Sequence, residues 1–157
     1  MGGWTTQEEQ RAAARRLLCE LVGSAVTVTH DALGAPHVAE LPGVHVSLSH
    51  CRGAVAVAVS DEAAVGIDVE RRRKIGDSLV KKVCNAAEQH EVAAAEDATM
   101  AFLSLWTRKE AVLKMRGTGI RGFGSMVTAL EKGGATVRTL PTDDRDVVAA
   151  LAIATDV

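Results

Sequence analysis

The sequence predicts an α+β fold in which an antiparallel sheet packs with a long helix. Three observations carry that expectation. Three closely spaced segments alternate apolar and small or polar residues with period two. A single stretch from Asp97 or Ala98 to Arg116 reads as helix throughout. The strand-type segments come in groups with helices between them, which argues against a parallel α/β alternation.

The elements follow in order. Thr6–Val22 reads as a helix, with Thr6 as cap, Gln7, Glu8 and Glu9 in its first turn, and Gly23 to end it. Ala13, Leu17, Leu18 and Leu21 supply its apolar stripe. Ala25–Thr29 is a short β-type run, and Asp31–Gly43 is rich in turn residues. Val44–His50, Ala54–Ser60 and Val65–Glu70 are the three alternating strands. Their short connections predict hairpins between the first and second and between the second and third. Asp77–Cys84 and Ala86–Ala95 read as short helices. The long helix follows, ended by Gly117, Gly119 and Gly122. Met126–Leu130, Ala135–Leu140 and Val147–Ala154 are strand-like.

The chain has 157 residues, which predicts one domain over 1–157 with enough length for a real core. Aromatics make up 3% of it and tyrosine is absent, so the core is built from Ala, Val and Leu. The net charge of −2 offers no reason to expect nucleic acid or an anionic membrane surface. Cys19, Cys51 and Cys84 form no Cys-x-x-Cys pair, as expected of a reduced, intracellular chain. No apolar run is long enough to span a membrane, and Met1–Thr5 carries no signal-peptide pattern. A cytoplasmic location is the expectation.

Two groups of residues invite chemistry. In Gly-Ile-Asp-Val-Glu, Asp68 and Glu70 are two apart on a strand, so they share a face ~7 Å apart. Two hard oxygen ligands suit Mg2+, which takes further ligands from water and substrate phosphate. Two solvent-facing acids on an amphipathic strand are the alternative, with Val65, Ile67 and Val69 anchoring the other face. On the long helix, Glu110 and Lys114 are four apart on one face, with Lys109 at its edge. They read either as an ordinary ion pair or as part of a phosphate site. There Glu110 would complete a cation site or accept a proton, and the lysines would hold anionic oxygens. Phe102, Leu103, Trp106 and Leu113 form that helix's buried stripe.

His50, beside Arg52, is either a phosphate contact or a structural histidine at a strand end. Arg11, Arg15 and Arg16 on the first helix are equally open. The basic run Arg71–Lys74 reads as solvated, or as a landing place for an acidic partner. Gly117–Gly122 matches G-x-G-x-x-G but follows a helix, so the dinucleotide-binding context is missing. No zinc spacing, Walker loop or G-x-S-x-G elbow is present.

Ser-Leu-Ser-His (47–50), Gly-Ile-Asp-Val-Glu (66–70) and Trp-Thr-Arg-Lys-Glu-Ala-Val-Leu-Lys (106–114) resemble, together and in this order, the 4′-phosphopantetheinyl transferases. Gly34-Ala35-Pro36 resembles a Gly-x-Pro element that precedes Ser-His in that family. The motif order is similar to that of the longer, pseudo-two-fold type serving polyketide and nonribosomal peptide synthases, with a shortened front. Ala35 stands where a basic residue is common. The resemblance implies the family fold and a monomer. It implies transfer of 4′-phosphopantetheine from coenzyme A to a serine of an apo acyl or peptidyl carrier protein, releasing adenosine 3′,5′-bisphosphate. It implies Mg2+ held by Asp68, Glu70 and Glu110, with Glu110 as base, directly or through a water. It further implies Lys114 at the leaving phosphate, and Lys109 and His50 as phosphate contacts. With the front shortened, Arg11, His50 and Arg52 would carry more of the coenzyme A phosphate binding. Two alternatives stand beside it: a non-catalytic module that binds coenzyme A or carrier protein, and a Mg2+-dependent hydrolase of nucleotide diphosphates.

Overall fold

The computed structural model describes residues 4–118 and 126–155. The chain opens with helix α1, Gln7–Val22. Thr6 caps it, its hydroxyl accepting from the Glu9 N–H while the Glu9 carboxylate accepts from the Thr6 N–H. Those backbone donors at Thr6 and Thr5 push the Glu9 carboxyl down to about 2. Gly23, with φ of 75°, ends the helix as expected. Its buried face is Gln10, Ala13, Ala14 and Leu18. Leu21, assigned above to the apolar stripe, is 57% exposed instead. The buried face is rotated toward Gln10 and Ala14.

Strands β1 (Val28–His30) and β2 (Pro36–Val38) form a small antiparallel hairpin. β2 lies inside the segment read as turns. Its three residues are too few to show a period, and Asp31 organises the turn by accepting from the N–H groups of Leu33 and Ala35. Strands β3 (His45–Cys51) and β4 (Ala54–Ser60) form the expected hairpin around Arg52 and Gly53.

Strand β5, Val65–Arg71, departs from expectation. It does not form a hairpin with β4. It pairs antiparallel with a strand near the C-terminus, β7 (Val147–Ala154), which pairs in turn with β6 (Ala135–Leu140), giving the order β5-β7-β6. The outer edge of β5 meets side chains of β3 rather than a backbone ladder. The Ile67 and Val69 N–H groups donate to the hydroxyls of Ser47 and Ser49, at 3.0 and 3.3 Å. Two serines on one face of β3 therefore satisfy an edge that would otherwise be buried without partners.

Helices α2 (Asp77–Val83) and α3 (Ala86–Ala94) lead into α4 (Ala98–Met115). α4 is buried on more than one side. Phe102, Leu103 and Leu113 pack with Val83, Val92 and Met126, while Ala111, Val112 and Met115 pack with Ala150 and Ala152 of β7. The residues 126–130, expected as a strand, form a short helical turn. Met126 and Ala129, three apart, are its buried residues, a helical spacing. Gly117 follows the end of α4 with φ of 63°; Gly119, Gly122 and most of the G-x-G-x-x-G match lie outside the described residues. Among the described residues no helix is long and apolar enough to cross a membrane.

Gly66 sets how closely β5 and α4 approach. A β-carbon on Gly66 would overlap the Ala111 carbonyl oxygen and the Met115 backbone nitrogen. Both are main-chain atoms and cannot move aside cheaply. Gly66→Ala should therefore cost more than about 3 kcal/mol, toward the upper end for overpacking. Urea unfolding would read this as a lowered midpoint.

Candidate active site

The approach at Gly66 brings the second half of β5 under the middle of α4. Asp68 and Glu70 come from β5, Trp106, Glu110 and Lys114 from α4, and Ser49 and His50 from the end of β3. All line one cavity of about 310 Å³. Asp68, 5% exposed, and Glu110, 6% exposed, are buried, and Glu70 is half-buried. Asp68 therefore does not face solvent, while Glu70 keeps part of its surface exposed.

Lys114 and Glu110 do not simply pair with each other along the helix. Lys114 Nζ donates instead across to β5, to Asp68 Oδ1 at 2.7 Å and to the Ile67 carbonyl at 3.1 Å. Ser49 Oγ donates to the same Asp68 Oδ1 at 2.8 Å. Asp68 Oδ2 and Glu110 Oε1 are buried and have no hydrogen-bond partner. Burial, then the Asp68 charge, pushes the Glu110 carboxyl up to about 7, with Lys114 offsetting part of it. Glu70 is raised for the same two reasons, and Arg73 at 3.5 Å opposes the rise. Three carboxylates thus face one lysine in one cavity, and the Asp68 charge adds to burial in making Glu70 and Glu110 harder to ionise.

A hard divalent cation suits this donor set. Mg2+ is held by one or two carboxylates and completed by water and substrate oxygens, so two unpartnered carboxylate oxygens are appropriate ligands. Among the described residues, no three acidic, histidine or cysteine side chains are already gathered into a metal cage. Asp68, Glu70 and Glu110 share a cavity without closing around one point, and Glu70 is held by Arg73.

A second cavity of about 300 Å³ adjoins the first, sharing Leu48 and His50. Arg11, Arg15 and His30 line it with Gly34 and Pro36. His50 Nδ1 lies 2.9 Å from Oε1 of buried Gln10, which fixes the ring between the two cavities. Burial, and then the charges of Arg11 and Lys114, hold the His50 imidazole below its usual range. An acidic cavity therefore opens beside a basic one.

Two residues expected at the site are placed elsewhere. Lys109 is fully buried and faces away from the cavity. Its Nζ donates to Glu88 at 2.6 Å, to the Val83 carbonyl at 2.8 Å and to the Val127 carbonyl at 3.3 Å. All its donors are engaged in tying α3 and the turn at 126–130 to α4, so it has none to give a phosphate. Arg52 sits exposed in the β3–β4 turn, where its carbonyl accepts from Arg71. It lines neither cavity.

The basic run is also largely committed to the fold. Arg71 pairs with Asp144, Arg72 with Asp97 and Asp146, and Arg73 lies over the Trp106 ring at 5.9 Å. Ser47, Ser49 and Gly66 stand in the motif blocks quoted above, but no role is assigned to them there or to Gln10. The local signal for Gly66 is a glycine inside an otherwise regular strand.

An acidic cavity with two unpartnered carboxylate oxygens is thus joined, through Leu48 and His50, to an arginine- and histidine-lined one. A family model described as the 4′-phosphopantetheinyl transferase superfamily matches residues 64–152, and the chain belongs to that superfamily. The 4′-phosphopantetheinyl transferase psf-1 of Bacillus pumilus is 34% identical over 118 residues, 73% of this chain and 50% of that protein. The 4′-phosphopantetheinyl transferase AcpT of Salmonella typhimurium is 34% identical over 109 residues, covering 67% of this chain and 57% of its own. The 4′-phosphopantetheinyl transferase Sfp of Bacillus subtilis is 29% identical over 89 residues, 55% of this chain and 39% of that protein. The chain spans about half the length of the curated relatives it matches.

Two stability measurements separate structural from ligand-facing groups. Lys109→Ala leaves Glu88 without its buried partner and should cost about 3–5 kcal/mol in urea unfolding. Glu110 behaves oppositely. Its folded-state affinity for a proton exceeds the unfolded one, so its contribution is full below pH 4.5 and lost as pH rises through about 7. In EDTA, Glu110→Gln should gain stability over the unaltered chain across that window, reaching about 1–3 kcal/mol. Urea midpoints measured against pH would show the gap widening and then levelling.

Proposed function

We propose that this chain transfers 4′-phosphopantetheine from coenzyme A to a serine of an apo acyl or peptidyl carrier protein, with Mg2+ as cofactor. The observation that carries the reading is the pair of unpartnered buried carboxylate oxygens, Asp68 Oδ2 and Glu110 Oε1, beside the Arg11–Arg15–His50 pocket. A diphosphate with a nucleotide at one end presents the matching charges. Arg11, Arg15 and His50 hold the nucleotide phosphates, and the diphosphate lies toward Lys114. Arriving phosphate charge favours the imidazolium of His50, against the burial that otherwise keeps it neutral.

Asp68 and Glu110 hold the cation, with Glu70 on the same strand face as a further ligand. Mg2+, when bound, supplies charge stabilisation to the phosphoryl oxygens. The nucleophile belongs to the carrier protein, which accounts for the lack of a nucleophile motif here. Glu110, directly or through a water, takes the proton from the serine hydroxyl. The serine oxygen bonds to the phosphorus on the pantetheine side of the diphosphate. The bond from that phosphorus to the bridging oxygen breaks, and adenosine 3′,5′-bisphosphate leaves with the bridging oxygen. Lys114 neutralises the charge that develops there. Positioning and charge stabilisation do most of the work, as expected for phosphoryl transfer.

The carrier proteins of polyketide and nonribosomal peptide assembly are the proposed partners, and the cytoplasm is the proposed compartment. Free Cys19, Cys51 and Cys84 support a reducing environment. Incubation with coenzyme A, Mg2+ and a panel of apo carrier proteins, followed by intact-mass measurement, tests the reading. A gain of one phosphopantetheine group is expected, and Glu110→Gln should slow it by about 100-fold or more. A stable complex without the mass gain would favour a binding module instead.

A further inference from the structure

We propose that Ser49 is a positioning residue that fixes the Asp68 carboxylate, so that Oδ2 alone is offered to a divalent cation. The inference rests on the reading of Asp68 as a cation ligand. Its basis is the direction of three hydrogen bonds. The Val69 N–H can only donate, and it donates to Ser49 Oγ. The serine proton is then free for another acceptor, and Asp68 Oδ1 takes it at 2.8 Å. Lys114 Nζ places a second donor on the same oxygen at 2.7 Å.

Both bonds fall on Oδ1 and none on Oδ2, although both residues are buried. Turning the carboxylate would break both. The two donors differ in permanence. The Lys114 side chain is 31% exposed and reaches Asp68 through a long flexible stem. Its proposed role at the leaving phosphate takes it away from Asp68. Ser49 is short, 6% exposed, and anchored through the β5 backbone, so it holds the carboxylate throughout.

Ser47 provides a control within the same strand. Its hydroxyl accepts from the Ile67 N–H at 3.0 Å, the same edge-sealing contact, and it makes no hydrogen bond to Asp68. A merely structural role predicts equal consequences for the two serines. A positioning role predicts that only Ser49 changes cation affinity.

The test uses the full chain without coenzyme A and Mn2+ as the probe, with free ion counted by electron paramagnetic resonance. Ser49→Ala should weaken Mn2+ binding by about 10-fold or more, the usual effect of losing a ligand's supporting partner. Ser47→Ala should leave it within about twofold. Urea midpoints should fall comparably in both. Asp68→Asn should abolish binding. Ser49→Cys, which keeps the side-chain shape but donates weakly, gives the same readout if the alanine variant does not fold. Unchanged affinity in the Ser49 variants, or equal losses for Ser47 and Ser49, would overturn the positioning role while leaving Asp68 a ligand. Equal Mn2+ binding by the unaltered chain and Asp68→Asn, including none by either, would overturn the cation reading and the proposal with it.

Discussion

The contact between Gly66 and the backbone of α4 governs the rest of the molecule. At that point a strand and a helix approach so closely that a methyl group has no room. Because they touch there, Asp68 two residues along the strand lies beneath Lys114, and Glu110 shares its cavity. The alanines of β7 extend the same closeness along α4, where Ala150 and Ala152 meet Ala111, Val112 and Met115. A core nearly without aromatics follows from this geometry, because thin side chains are what allow the layers to come together.

The site is costly in electrostatic terms. Three carboxylates and one lysine line one cavity, Asp68 and Glu110 are buried, and two acid oxygens have no partner. Nothing in ordinary packing favours such an arrangement, which destabilises the ligand-free chain. Other charges are paired: Arg72 bridges Asp97 and Asp146, Arg71 meets Asp144, and Lys109 is enclosed with Glu88. The acidic cavity and the arginine-lined one beside it carry opposite excesses, as expected where charge awaits a ligand.

Much of this was legible in the residues. Helix ends were readable because Thr6, Glu9 and Gly23 satisfy orphan backbone groups in a standard way. Periodicity placed Asp68 with Glu70 and Glu110 with Lys114 on one face each, but left their roles open; the fold puts all four on one cavity. The pairing of β5 with β7 was not legible, since a strand buried on both sides looks the same whichever neighbour it takes. Lys109 was misread for a related reason. A lysine at the edge of a polar helix face has no local mark of burial, and its partners at Val83, Glu88 and Val127 lie far along the chain. Ser47 and Ser49 looked like the polar half of an alternating strand, while their role depends on an edge that only the fold creates.

No main-chain ladder joins β3 to β5; the Ser47 and Ser49 hydroxyls accept from two β5 amides, Ser49 donates to Asp68, Arg71 donates to the Arg52 carbonyl, and side chains pack between them. The two layers are therefore hydrogen-bonded internally as separate sheets, and the cavity shared by His50 and Glu110 lies along the seam where side chains, not strands in register, join them.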